Sequence, residues 1–112
     1  MRITTPETAP KVPFNIEAYS LYKSDEAELI HMVLQPGQAI AMHSNPFKVV
    51  FFCIEGEVVA TVEDESVQMN RFSSVVVEKD LNRREETERF RSQLLGIRGT
   101  LVRDNGLLNK EN

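Results

Sequence analysis

The stretch that decides the fold is PGQAIAMHSNPFKVVFFCIEG, residues 36–56. It contains QAIAMH and the apolar run FKVVFFCI, both short enough for β-strands, and the second run is rich in aromatic and β-branched residues. Turn-forming residues precede the first run at 36–37 and separate the two runs at 44–46. The stretch also holds His43, one of two histidines, and Cys53, the single cysteine. It therefore predicts two strands, the second well buried, next to a candidate site.

Further short strands flank this stretch on both sides. Upstream, residues 28–34 have the length of a strand and end at a turn. Downstream, VVATVE, SVQMN and SSVVVE are separated by turn residues at intervals of about ten residues. That succession is typical of a β-sandwich or barrel. The sequence therefore predicts a single all-β domain.

The charged segment EKDLNRREETERFR, residues 78–91, is ambiguous when it is read alone. A helix is supported by Asn82, which could cap it, and by Glu85 and Arg89, which stand four residues apart. A strand is supported by LLGIRGTLV, residues 94–102, which would then close the fold. The local pattern leaves both alternatives open.

Composition excludes several classes of protein. With 112 residues, 41% apolar and 27% charged, the chain has the composition of one folded domain. The net charge is −4, and the sequence has no concentrated basic segment, so we expect no nucleic-acid partner. No apolar run approaches ~18 residues, and the N-terminus lacks the apolar core of a secretory signal, so we expect no membrane partner. A single cysteine favours a cytoplasmic location.

Residues 36–56 resemble the first motif of the cupin superfamily, G(x)5HxH(x)3-4E(x)6G. Gly37 opens the motif, His43 falls on its first histidine and Gly56 on its closing glycine. The second motif, G(x)5PxG(x)2H(x)3N, can be laid on residues 72–83 in layout only. The resemblance spans about residues 28 to 98 and implies a cupin-type, jelly-roll-like β-barrel.

On the second motif, Phe72 stands at the first glycine, Glu78 at the proline, Asp80 at the second glycine and Arg83 at the histidine. With this alignment as a guide, residues 83–90 are interpreted as a charged strand, and the helix remains the alternative. A shift of one residue would place Arg84 rather than Arg83 in the interior.

The resemblance also implies a domain organisation and a partner. We expect an extended N-terminal arm at 1–20 with room for one edge strand, a cupin β-barrel at 21–104 and a C-terminal tail at 105–112. Related small cupins pair, so we predict a homodimer in which the arm crosses to the neighbouring subunit. Phe52 and Ile54 lie on the strand face opposite Cys53, where they would cover the outer sheet or the interface.

Cupins that bind metal use two histidines and a glutamate from the first motif and a histidine from the second. Here His43 is kept, but the other three positions carry Asn45, Val49 and Arg83. A guanidinium has no lone pair to give a metal, and zinc usually takes at least three protein ligands. Cys53 could contribute from the same strand face as Val49. We therefore expect no cofactor, with His43 as the metal ligand if a divalent ion binds after all.

The same alignment brings His43, Asn45 and Arg83 towards one end of the barrel, with Phe51 and Cys53 also facing inward. These five residues are the candidate ligand-binding site. We predict that the barrel binds a small polar or anionic molecule without metal. The alternatives are a metal-dependent or metal-free cupin enzyme of the dioxygenase or isomerase type that uses His43, and a solid barrel with a structural role.

Individual residues carry competing interpretations. Arg83 could anchor an anion through its two-pronged guanidinium, or form a structural ion pair with Glu85 on the same strand face. Cys53 is expected to be an inert thiol in apolar surroundings. Met32, Met42 and Met69 are expected in the core, and His31 on the outward face of its strand as a surface or interface residue.

Overall fold

The computed structural model describes residues 1–99, which form nine β-strands and no helix. The described residues therefore contain no long apolar helix that could cross a membrane. The strands are β1 (Glu17–Lys23), β2 (Ala27–Leu34), β3 (Ala39–His43), β4 (Val49–Glu55), β5 (Val58–Val62), β6 (Glu65–Met69), β7 (Ser74–Val77), β8 (Arg83–Glu86) and β9 (Ser92–Gly99).

The strands form two antiparallel sheets. The five-stranded sheet has the order β1-β2-β9-β4-β7, and the four-stranded sheet has the order β3-β8-β5-β6. Every pairing between the named strands stays within one sheet, so the sheets are not closed into a continuous barrel. The all-β, jelly-roll-like prediction is confirmed, whereas the expected barrel is an open sandwich of two sheets.

The core lies between the two sheets because each strand alternates inward and outward side chains. On β4, Val49, Phe51 and Cys53 are buried, as the apolar run predicted. Buried apolar residues from both sheets join one cluster that includes Met32, Leu34, Leu94, Ile40, Val58, Ala60 and Met69.

The charged segment forms β8 rather than a helix, so the helical alternative is wrong. β8 pairs with β3 on one side and β5 on the other. These neighbours supply backbone partners on both sides, which outweigh the local helical pattern. The strand ends at Glu86, earlier than the predicted end at residue 90.

The N-terminal segment packs against its own domain over the described residues. β1 is the edge strand of the five-stranded sheet, and Lys11 forms an isolated bridge with Tyr19. Ile16 and Ala18 are buried in the core. An arm that crosses to a second subunit remains a prediction. The predicted tail at 105–112, and the last residues of the predicted domain, lie outside the described residues.

His31 lies on the outward face of its strand as predicted, since it pairs with Leu95 on β9 and so shares a face with Phe52. It is nevertheless only 8% exposed, because Tyr19 on β1 stacks on its ring and Gln93 on β9 lies 2.6 Å from its Nε2.

One expectation about a single residue is wrong. Met42 is 50% exposed, because β3 is an edge strand whose register shifts between residues 40 and 43. Met32 and Met69 are buried in the core as predicted.

The backbone supports the register that places Arg83 on the second motif. Phe72 has φ 70° and Asp80 has φ 66°, and these two residues stand where the motif has glycine. A positive φ is a conformation that glycine adopts readily and other residues rarely. Both residues that stand at glycine positions of the motif therefore have the backbone conformation that glycine favours.

Candidate functional site

A cavity of about 380 Å³ opens between the two sheets. Four of the five predicted site residues line it, namely His43, Asn45, Phe51 and Arg83. The sequence alignment had placed these residues at one end of the fold, and the structure brings them together. Cys53 is not among the described residues that line the cavity.

His43 ends β3, and both of its ring nitrogens have partners. Nδ1 lies 2.8 Å from the carbonyl oxygen of Ala41, and Nε2 lies 2.7 Å from Nη2 of Arg83. A carbonyl only accepts and a guanidinium only donates, so Nδ1 must carry the proton and Nε2 must accept. The contacts therefore select the neutral imidazole with its proton on Nδ1.

Arg83 is the centre of the site. It is 5% exposed, its Nη1 donates to Glu85 Oε1 at 2.7 Å, and its Cζ lies 4.4 Å from the centre of the Phe51 ring. The structural ion pair with Glu85 is therefore confirmed. Arg84 points to solvent and pairs with Glu86, so Arg83 is the arginine that faces the interior.

Burial governs the electrostatics of this pair. It lowers the pKa of Arg83, against the opposing effect of the Glu85 charge and hydrogen bond. It raises the pKa of Glu85 to about 7, against the opposing effect of Arg83. Within the described residues, Arg83 Nε and Glu85 Oε2 are buried without a hydrogen-bond partner. The pair therefore leaves one donor and one acceptor without a hydrogen bond.

Cys53 lies two residues beyond Phe51 on β4, deeper in the core. Its Sγ is 3.5 Å from the carbonyl oxygen of Glu55 and 3.8 Å from that of Gly56. Burial raises the pKa of the thiol. The prediction of an inert thiol agrees with this environment, whereas its inclusion in the ligand site does not agree with the geometry.

A second cationic group in the cavity was missed by the sequence interpretation. Arg98 lines the cavity, lies 3.2 Å from Glu28 Oε1 and has its Cζ 4.9 Å from the centre of the Phe47 ring. Arg98 shares the inward face of β9 with Leu94 and Gly96, so strand alternation in LLGIRG could have identified it.

The cavity is more positive than the chain as a whole. Three cations line it, Lys23, Arg83 and Arg98, with one carboxylate, Glu28, so the formal charge of its lining is 3 − 1 = +2. Ionised Glu85 beside Arg83 reduces the local sum to +1, in a chain whose net charge is −4. A cleft lined by one sign of charge between low-dielectric walls concentrates ions of the other sign.

Comparison with known proteins identifies the family. The Cupin domain model matches residues 30–87, which is just over half of the chain. This chain belongs to the cupin family. No curated protein matches it.

Solved cupin structures share the fold at low sequence identity. A similar one is the RmlC-like cupin from Shewanella frigidimarina, with 13% identity, a TM-score of 0.78 and coverage of 93% of this chain and 95% of that chain. KdgF from Halomonas sp. has 9% identity, a TM-score of 0.78 and coverage of 94% and 97%. A predicted oxalate decarboxylase from Thermotoga maritima has 13% identity, a TM-score of 0.74 and coverage of 86% and 96%.

The residues of this cupin do not fit the family's metal. Within residues 1–99 no three His, Cys, Asp or Glu side chains are grouped so that they could hold an ion. Of the four ligand positions in the cupin motifs, only position 43 carries a histidine or glutamate, and Nε2 of His43 already accepts a hydrogen bond from Arg83. A buried guanidinium at that nitrogen would also repel a divalent cation.

Proposed function

We propose that this cupin binds a small organic monoanion, with a carboxylate head, in the cavity between its sheets and without a metal. The observation that carries the proposal is the positive lining of the cavity, where Lys23, Arg83 and Arg98 face a single carboxylate, Glu28. A cleft lined by one sign of charge concentrates small ions of the other sign.

Charge balance favours one negative charge on the ligand. The cavity lining carries +2, and above pH 7, where the carboxylate of Glu85 is ionised, the local sum is +1. A monoanion would bring that sum to zero, whereas a dianion would leave an uncompensated charge in a partly buried site. Uncompensated buried charge is costly, so the dianion is the weaker ligand.

The cavity walls favour an apolar body attached to the carboxylate. Met32, Val49 and Phe51 line the cavity next to the polar groups. A volume of about 380 Å³ is at the small end of the range of ligand pockets, which favours a molecule of a few to about a dozen heavy atoms. The ligand would therefore place its carboxylate at Arg83 and its body against Phe51.

The alternatives receive less support. A solid structural barrel would be filled by core side chains, yet Met32 and Phe51 leave this volume open. An enzyme with His43 as general base needs a free lone pair on Nε2, and that lone pair accepts from Arg83. Binding without catalysis is therefore the proposal that these contacts favour.

A titration of matched anions tests the proposal. Untagged protein would be titrated calorimetrically with hexanoate, adipate, inorganic phosphate and the neutral amide of hexanoate. We expect hexanoate to bind more tightly than the other three. Arg83→Lys should weaken hexanoate binding by about tenfold or more, because lysine keeps the charge but loses the planar donor pair.

Arg84→Lys is the matched control, because Arg84 is the exposed neighbour of Arg83 on the same strand. It should leave the affinity unchanged. Equal affinities for hexanoate and its amide, or an unchanged affinity in folded Arg83→Lys, would contradict the proposal.

A further inference from the structure

The contacts of the His43 ring resemble those of a metal-binding histidine, except that a guanidinium faces its Nε2. A histidine that binds a metal through Nε2 commonly donates its other ring N–H to a backbone carbonyl, which fixes the ring orientation. His43 makes this contact through Nδ1 to Ala41 O at 2.8 Å. Its Nε2 then faces a positive charge, the guanidinium of Arg83, at 2.7 Å.

The guanidinium holds two acceptors at once. Nη2 of Arg83 donates to His43 Nε2, and Nη1 donates to Glu85 Oε1, both at 2.7 Å. One acceptor comes from β3 and the other from β8, so the cation also links adjacent strands of the four-stranded sheet. An imidazole nitrogen and a carboxylate oxygen are the donor types that bind first-row divalent ions.

We infer that the Arg83 guanidinium is a resident cation that occupies the metal position of this site and keeps His43 and Glu85 closed to metal ions. The site is thus not an eroded metal centre but one in which a covalently attached charge replaces an exchangeable ion. The single positive charge of arginine is matched by the single carboxylate of Glu85. This inference concerns the protein without ligand and does not depend on which anion binds.

The inference can be tested by asking whether removal of the guanidinium creates a metal site. Arg83→His removes the cation, frees His43 Nε2 and Glu85 Oε1, and adds a third donor at position 83. Three protein ligands of N and O type are the set found in catalytic zinc sites. Arg84→His is the matched control, because it adds a histidine to the same strand on the exposed side.

Zn²⁺ would be titrated into untagged proteins by calorimetry, with folding checked by circular dichroism. We expect one Zn²⁺ per chain for Arg83→His, at least tenfold tighter than any binding by the wild type or Arg84→His. Adding His43→Ala should abolish the gained site. Folded Arg83→His without this gain, or wild-type binding of one Zn²⁺ that requires His43, would overturn the inference.

A measurement on the wild-type protein tests the inference even if the Arg83→His variant fails to fold. The ¹⁵N resonances of the His43 ring report which nitrogen carries the proton. We expect a protonated Nδ1, an unprotonated Nε2 and no change when Zn²⁺ is added in excess. Loss or shift of the His43 resonances at one equivalent of Zn²⁺ would show that the guanidinium does not close the site. Neither experiment uses a carboxylate ligand, so a failure here is distinct from a failure of the proposed function.

Discussion

At the scale of single residues, the buried pair of Arg83 and Glu85 combines a close contact with a large desolvation cost. The two charged groups are 2.7 Å apart, and their side chains are 6% and 0% exposed. Burial nevertheless has the larger effect on Glu85, since its pKa rises to about 7. Replacing a buried ion pair by neutral groups of similar shape is often stabilising, whereas removing one partner is costly.

This balance predicts a pH-dependent stability. The folded pKa of Glu85, about 7, lies above its ordinary value of 4.5, so the folded chain retains a proton that the unfolded chain loses. The contribution of Glu85 to stability is therefore full below pH 4.5 and is lost as pH rises to about 7. Glu85→Gln keeps a neutral acceptor for Arg83 and should remove this loss.

Melting temperatures at pH 5 and pH 8 would measure the effect. The advantage of Glu85→Gln over the wild type should be larger at pH 8 than at pH 5, by on the order of 5 °C. Glu86→Gln, the neighbour that pairs with Arg84 at the surface, should show no such change. Parallel pH curves for Glu85→Gln and the wild type would contradict the prediction.

At the scale of elements, the turn between β4 and β5 determines how β9 packs at this end of the molecule. Gly56 in that turn has φ +83°, and a Cβ built on it would overlap Ser92 Oγ and lie 2.7 Å from the carbonyl oxygen of Arg91. The Ser92 hydroxyl itself bonds to the backbone N and O of Glu57, at 3.1 and 3.0 Å. The turn therefore needs glycine for its backbone shape and for the close approach of β9.

A pair of glycine variants separates these two requirements. Gly37 in the turn before β3 has φ +85° but no atom within 4 Å of a built Cβ. Gly37→Ala should cost about 1–2 kcal/mol, the strain of a left-handed residue. Gly56→Ala should cost about 1–3 kcal/mol more, because the overlap adds to the strain. Chemical denaturation measures both, and equal losses would show that the contact with β9 is unimportant.

At the scale of the whole molecule, the outer face of the five-stranded sheet carries an exposed apolar patch, defined here by Phe52, Phe72 and Val76. Phe72 is 63% exposed and Val76 53%, and the rings of Phe52 and Phe72 stack with centres 6.3 Å apart. Phe72 also holds a left-handed φ, which costs free energy in a bulky residue. Exposed, strained aromatic residues are typical of functional surfaces.

We predict that this outer patch forms the interface of the homodimer. Phe72→Gly should weaken the dimer by at least about tenfold, because it removes the central ring. It should not destabilise the monomer, since glycine adopts the left-handed φ without strain. Light scattering against concentration and denaturation together measure the two effects.

Val67→Thr is the control for the dimer, because Val67 is 49% exposed on the other sheet. It should leave the association unchanged. A mass of one 12.8 kDa chain for the wild type at micromolar concentration would contradict the dimer. An unfolded Phe72→Gly would show instead that the ring is needed for the fold.

Sequence reasoning identified most strands and named four of the residues that line the cavity, and each omission has a physical cause. β4 was identified because a short apolar run rich in aromatic and β-branched residues favours a buried strand. The segment around Arg83 remained open because charge patterns support a surface helix as well as a strand. Arg98 was missed because strand alternation places it on the same face as Leu94 but does not show that this face borders a cavity.

The sequence by itself determined the all-β class and the cupin relationship, because these depend on residue identity, spacing and alternation. Only the tertiary structure decided that the two sheets remain open, that Arg83 rather than Arg84 points inward and that its guanidinium contacts His43. The physical reason is that β8 acquires its orientation from pairing with β3 and β5, which are distant in sequence. Register between such strands fixes which side chains meet, and no local pattern contains it.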